Sequence, residues 1–108
     1  MSQPNVYKTA TVTATATATS LLTLLLAVDT TILASYREVN LQGDTGNTTN
    51  NVLVGDDQLS AARLGVALTA GSSRNYRQSG SGMAGIPLAN IFILASAGSP
   101  KLNVELMM

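Results

Sequence analysis

The chain has 108 residues, no cysteine and no histidine, and its six basic and six acidic residues balance to a net charge of zero. That length fits one domain with its own core, expected over residues 1–108, and leaves no room for a second. Without Cys or His, a disulfide framework, a structural zinc site and any Cys or His nucleophile or base are excluded.

Residues 9–19 alternate without a break, with Thr at every odd position and Ala10, Val12, Ala14, Ala16 and Ala18 at the even ones. Period-two alternation places Thr on one face of a strand and the small apolar residues on the other. A strand this long either stays in one sheet, crosses from one sheet to another, or pairs with a neighbouring subunit. At Ser20 the pattern changes to an unbranched run containing Leu21, Leu22, Leu24, Leu25 and Leu26. Such residues favour helix, and Ser20 or Thr19 is a suitable N-cap. A helix of about two turns ending near Asp29 is predicted, its leucines plugging one end of a sandwich. A buried strand is the alternative for so short an apolar run. The run falls short of the roughly 20 residues a membrane span requires. A signal peptide is not expected, because the preceding Thr/Ala stretch with its single Lys8 is a poor charged leader.

Tyr36 to Leu41 reads as a strand, with Tyr36, Glu38 and Asn40 on one face and Arg37, Val39 and Leu41 on the other. Residues 43–51 are dense in turn formers and form an exposed loop. Asn51 to Val54 is a short strand broken by Gly55-Asp56-Asp57, and Leu64 to Ala70 is another, stopped by Gly71. Residues 71–85 are rich in Ser and Gly and read as a long loop, with room for a short strand around Arg74 to Gln78. Ile91 to Ala95 and Leu102 to Met107 flank Gly98-Ser99-Pro100, which predicts a hairpin. The sum is an all-β fold: one small β-sandwich or jelly-roll-like domain of about six to eight strands, with one short helix after the first.

Charged residues make up only 11% of the chain, against roughly 25% in an ordinary soluble domain. A surface so poor in charge is weakly defended against self-association, which suits a homo-oligomer or a larger assembly. The cations are scattered and only Tyr7, Tyr36, Tyr76 and Phe92 are aromatic, so neither a phosphate-neutralising field nor a base-stacking platform is present. Nucleic acid and membrane are therefore not expected as partners.

Catalytic templates also fail. Carboxylate pairs would have to come from Asp29, Glu38, Asp44, Asp56, Asp57 and Glu105. The adjacent Asp56 and Asp57 are better explained by a turn than by acid–base work. Asp44, Asn47, Asn50 and Asn51 lack the ordered spacing and closing Glu of a calcium loop. A Ser–Lys pair using Lys8 or Lys101 has no motif behind it, and Gly80, Gly82 and Gly85 lack the strand–helix context and lysine of a phosphate loop. No catalytic, cofactor-binding or metal-binding residue is expected, and the chain does not read as an enzyme.

The order of pieces runs from the Thr/Ala strand and Ser-Leu-Leu-Thr-Leu-Leu to a strand ending Glu38-Val39-Asn40-Leu41. Asn51-Val52-Leu53-Val54-Gly55 and Leu64-Gly65-Val66-Ala67-Leu68-Thr69-Ala70-Gly71 follow. Leu88-Ala89-Asn90-Ile91-Phe92-Ile93-Leu94 and Lys101-Leu102-Asn103-Val104-Glu105-Leu106 close it. This order resembles small β-sandwich virion proteins of tailed bacteriophages that serve as capsid cement or decoration, or as head-fibre bases. The resemblance implies a subunit, often trimeric, that clamps neighbouring major capsid proteins in a virion assembled in the host cytoplasm. A tail, baseplate or vertex-fibre component in host attachment is the second expectation, with residues 71–85 as its contact surface. A free-standing carbohydrate- or ligand-binding sandwich is the third, weakened by the small number of aromatics. The expected contact regions are the Thr/Ala strand and the loops Gly43 to Asn51 and Gly71 to Gly85.

Overall fold

Two four-stranded sheets face one another across a shared apolar interior. The computed structural model describes residues 7–60, 62–63, 65–77 and 85–107. In chain order these form β1 (Tyr7–Thr13), β2 (Thr19–Ser20), α1 (Leu21–Val28), β3 (Ser35–Tyr36), β4 (Glu38–Gly43), β5 (Val52–Gly55), β6 (Val66–Leu68), β7 (Ser73–Arg77), β8 (Ile86–Pro87), β9 (Phe92–Ala95) and β10 (Lys101–Met107). The first sheet has the order β1-β10-β4-β7 and the second β2-β9-β5-β6, while β3 and β8 make a separate two-stranded pair. All pairings are antiparallel. The small all-β fold expected from the alternation is therefore present, as ten strands among the described residues, three of them two residues long.

Val12, Val39, Leu41, Leu102, Val104 and Leu106 point inward from the first sheet; Val52, Val54, Leu68, Ile93 and Ala95 meet them from the second. Burying each of the larger side chains is worth roughly 1.5–3 kcal/mol against leaving it in water. Helix α1 adds Leu21 and Leu25, both fully buried in the same core. It starts where expected, because the Ser20 hydroxyl accepts from the Thr23 N–H at 3.1 Å and satisfies a donor of the first turn. It ends at Asp29, whose N–H donates to the Leu25 carbonyl. Lys8 on β1 reaches the Asp29 carboxylate at 3.4 Å and also bonds the Thr31 hydroxyl, tying the helix end to the first strand.

The Thr/Ala stretch changes sheets. Its first half is β1, paired with β10 from Tyr7↔Met107 to Thr13↔Lys101. Ala14 is then fully buried and donates to the Pro100 carbonyl at 2.9 Å, while the Thr15 carbonyl accepts from Ala95 at 2.8 Å. The chain thus passes from one sheet to the other, and its last residues join the second sheet as β2 beside β9. A methyl side chain suits the crossing, where Ala14 is fully enclosed.

Three local expectations are corrected. Tyr36 does not share the outer face of Glu38 and Asn40. A bend at Arg37 separates β3 from β4, and the Tyr36 ring turns into the core at 2% exposure, its hydroxyl accepting from the Leu33 N–H at 2.9 Å. The gain from burying the ring outweighs strand continuity, and the bonded hydroxyl removes the penalty of burying a polar atom. The segments 91–95 and 102–107 are not a hairpin, because β9 lies in the second sheet and β10 in the first. Residues 96–100 bridge the layers, anchored where the Ser96 N–H donates to the Asn51 carbonyl and Pro100 accepts from Ala14. The strand expected over 64–70 shortens to Val66–Leu68, with Leu64 outside the described residues. Within 71–85, the short strand is real as β7 and forms an edge of the first sheet; residues 78–84 lie outside the described residues.

Candidate functional site

The two sheets present opposite chemistry to the outside. On β5 the alternation fails: Val52, Leu53 and Val54 are all buried, although only Val52 and Val54 face the common core. β9 repeats this, with Leu94 at 6% exposure on the outer side. Leu53 and Leu94 are direct cross-strand partners, and Ala67 on β6 is the next residue in the same row. These two leucines form a second, smaller apolar cluster with Leu59, packed against Ala18 and Phe92.

Leu59 reaches this face because the segment after β5 folds back over the sheet. Asp56 organises that return: its carboxylate accepts from the Gln58 N–H at 2.9 Å and its carbonyl from the Leu59 N–H at 3.0 Å. Ser60 and Arg63 then bond one another reciprocally through their backbones. Two glycines permit the close approach. A Cβ on Gly55 would stand 3.0 Å from the Leu59 side chain; on Gly65, whose φ is +65°, it would stand 2.3 Å from the Val54 carbonyl oxygen.

The result is a groove of about 850 Å³ on the outer face of the second sheet. Leu53 and Leu94 floor it, Ala16 and Ala18 form one rim, and Leu59 and Ser60 form the other. Among the described residues no charged side chain lines it. An apolar concavity with a few polar backbone and hydroxyl groups is suited to receiving an uncharged surface.

Of the expected contact regions, the Thr/Ala stretch contributes directly, through the rim residues 16–18. The loop Gly43 to Asn51 reaches the groove only through its last residue, Asn51, and is pinned. Asn47 donates to the Lys101 carbonyl at 2.8 Å and accepts from the Lys101 N–H at 2.9 Å, and the Asn51 N–H donates to the Ser96 hydroxyl at 2.8 Å. Asp44 spends its oxygens on the Gly46 N–H and the Asn103 amide, which hold its carboxyl below the usual range, the Gly46 bond most strongly. Of the residues weighed for calcium, Asp44 and Asn47 thus use their side chains to hold the loop and tie it to β10. Asp56 pairs at 3.5 Å with Arg63 in solvent, an arrangement of little energetic weight.

Sequence reasoning missed Leu59 and the outward leucines as surface features. A signal was present in the unbroken runs Val52-Leu53-Val54 and Phe92-Ile93-Leu94-Ala95, since a strand with water on one face does not stay apolar at every position. Leu59 had none, because its position depends on the turn after Gly55. Comparison of the chain with protein-family models, with curated proteins and with solved structures finds no match in any of the three.

Proposed function

We propose that this chain is a non-catalytic structural subunit of a bacteriophage virion, a capsid cement or decoration protein that binds and stabilises neighbouring major capsid proteins. The observation that carries the reading is the charge-free apolar groove over Leu53 and Leu94 on the outer face of the second sheet. A contiguous concave apolar surface is characteristic of a protein contact, and the low overall charge of the chain suits a surface covered by neighbours. The capsid setting comes from the sequence resemblance; the groove supports the wider statement that one face is made to be covered.

The test is stoichiometry and stability of particles. Purified virions should contain the protein at a fixed high ratio to the major capsid protein, and capsids lacking it should fail at lower temperature and lower salt. Capsids without it that resist both as well as complete ones would overturn the reading. Low copy number together with lost adsorption would instead assign it to a tail, baseplate or vertex fibre. A charge placed in the groove by Ala67→Asp should abolish capsid binding while leaving the fold intact, because Ala67 is exposed. The mass of the protein in solution separates a trimer from a monomer.

A further inference from the structure

The outer face of the first sheet is the chemical opposite of the groove. Antiparallel register aligns Thr9, Glu105, Asn40 and Asn75 in one row across four strands, and Thr11, Asn103, Gln42 and Ser73 in the next. Strand spacing of about 4.8 Å and a same-face repeat of about 6.7 Å set these polar tips out as a lattice. Between them lies a second groove of about 520 Å³, whose floor is the sheet itself. That volume falls within the range of small-ligand sites, roughly 300–1,000 Å³.

Much of the lattice is held rigid by its own hydrogen bonds. Glu105 accepts from the Tyr7 hydroxyl and from the Asn40 amide, each at 2.7 Å. Asn75 donates to Glu38 at 2.8 Å and also to the Asn40 side-chain oxygen. Asn103 accepts from Thr11 at 2.9 Å and donates to Asp44 at 3.0 Å. Three groove residues remain free: the side chains of Thr9, Gln42 and Ser73 make no hydrogen bond among the described residues. Each offers both a donor and an acceptor. Tyr7 stands two residues from Thr9 on the same face, 53% exposed and bonded through its hydroxyl to Glu105.

We propose that this face binds a neutral, hydroxyl-rich ligand, a glycan, with Gln42, Thr9 and Ser73 meeting its hydroxyls and the Tyr7 ring packing against a sugar face. Charge argues for this class. Among the described residues Glu105 is the one charged side chain lining the groove, and the cations of this face, Lys101 and Arg77, stand one row away on opposite sides, so an anionic ligand meets a carboxylate and no concentrated positive field. A peptide is also a poor occupant, because the middle of the floor is β10 and β4, each paired on both sides, so a ligand lying across it meets side chains and not free main-chain groups. Sugar hydroxyls are neutral and bond in both senses, which matches the free groups. The prior fixing of the surrounding amides lowers the ordering cost of binding. The proposal does not depend on the capsid reading, since it uses the opposite sheet.

The test is titration of isotopically labelled full-length protein, followed by NMR, with maltopentaose, cellopentaose, mannotetraose, chitotetraose and, as the anionic contrast, a heparin tetrasaccharide. At least one neutral probe should shift amide signals of β1, β4 and β10, and Gln42→Ala and Tyr7→Ala should each weaken that binding tenfold or more. Gln42→Ala removes an exposed side chain without partners, so the fold survives it. No shift with any neutral probe, binding of the heparin fragment alone, shifts confined to the second sheet, or unchanged binding by Gln42→Ala would each overturn the proposal. None of these outcomes bears on capsid binding through the other face.

Discussion

Asn40 on β4 and Glu105 on β10 are joined side by side on the first sheet, the amide donating to the carboxylate at 2.7 Å. The same carboxylate takes the Tyr7 hydroxyl from β1, so one charged group links three strands. These bonds hold the Glu105 carboxyl below its ordinary range, the Tyr7 bond contributing most, and they push the Tyr7 hydroxyl up.

A carboxylate lowered in the folded state stabilises the fold above its unfolded pKa and loses that contribution as pH falls through the folded one. Asp44 and Asp29 are lowered as well, Asp29 chiefly by the Thr31 hydroxyl. Melting temperature is therefore expected to drop on acidification below about pH 4, where ordinary carboxylates titrate. Glu105→Gln should flatten part of that drop. A raised tyrosine has the opposite sign: its contribution is present below about pH 10 and lost above. An acid limb in Glu105→Gln as steep as in the parent would contradict this account.

Leu25→Ala should cost about 2–5 kcal/mol, because its side chain is fully buried beneath α1 and the strands around it cannot collapse into the space. Ser20→Ala should cost about 1 kcal/mol through the lost cap. Urea unfolding checks both, and an equal cost for the two would refute this division of roles.

At Gly65 an added methyl meets the Val54 carbonyl at 2.3 Å in a left-handed backbone conformation. Gly65→Ala should therefore destabilise by roughly 1–3 kcal/mol from the conformation alone. Leu59 should also come off the outer face, measurable as faster amide exchange in residues 56–60. Wild-type exchange there would show that Gly65 does not seat Leu59.

Ala67→Asp should change stability by no more than about 0.5 kcal/mol, as expected of an exposed position outside the core. If the groove is the docking face, the same variant loses co-sedimentation with capsids. Full retention of co-sedimentation would move the contact elsewhere.

Features governed by local chemistry were legible in the sequence. The Ser20 cap, the leucine helix and the alternation of Leu102, Val104 and Leu106 needed only neighbours within a few residues. Features decided by distant partners were not. Nothing near Tyr36 says that Ile86 will pair with it and draw the ring inward. Gly98-Ser99-Pro100 has the composition of a hairpin turn, yet it spans two layers because Asn51 and Ala14 hold its flanks. The apolar groove was half legible, through two strands too apolar for a one-sided sheet. The polar lattice was not, since it exists only once register places Thr9, Asn40 and Asn75 in a row with Glu105.

The pairing of β1 with β10 sets an order in time. Tyr7 and Glu105 are 98 residues apart in sequence yet bonded in the fold, and Thr11 and Asn103 are 92 apart. On the ribosome, β1 waits unpaired until nearly all the chain between them has been made. Contacts so remote in sequence make for slow folding, on the scale of milliseconds to seconds. During that interval the Thr/Ala stretch is exposed, with backbone groups open to other chains. Its threonines and alanines, in place of larger apolar residues, keep the waiting strand weakly adhesive until its partner arrives.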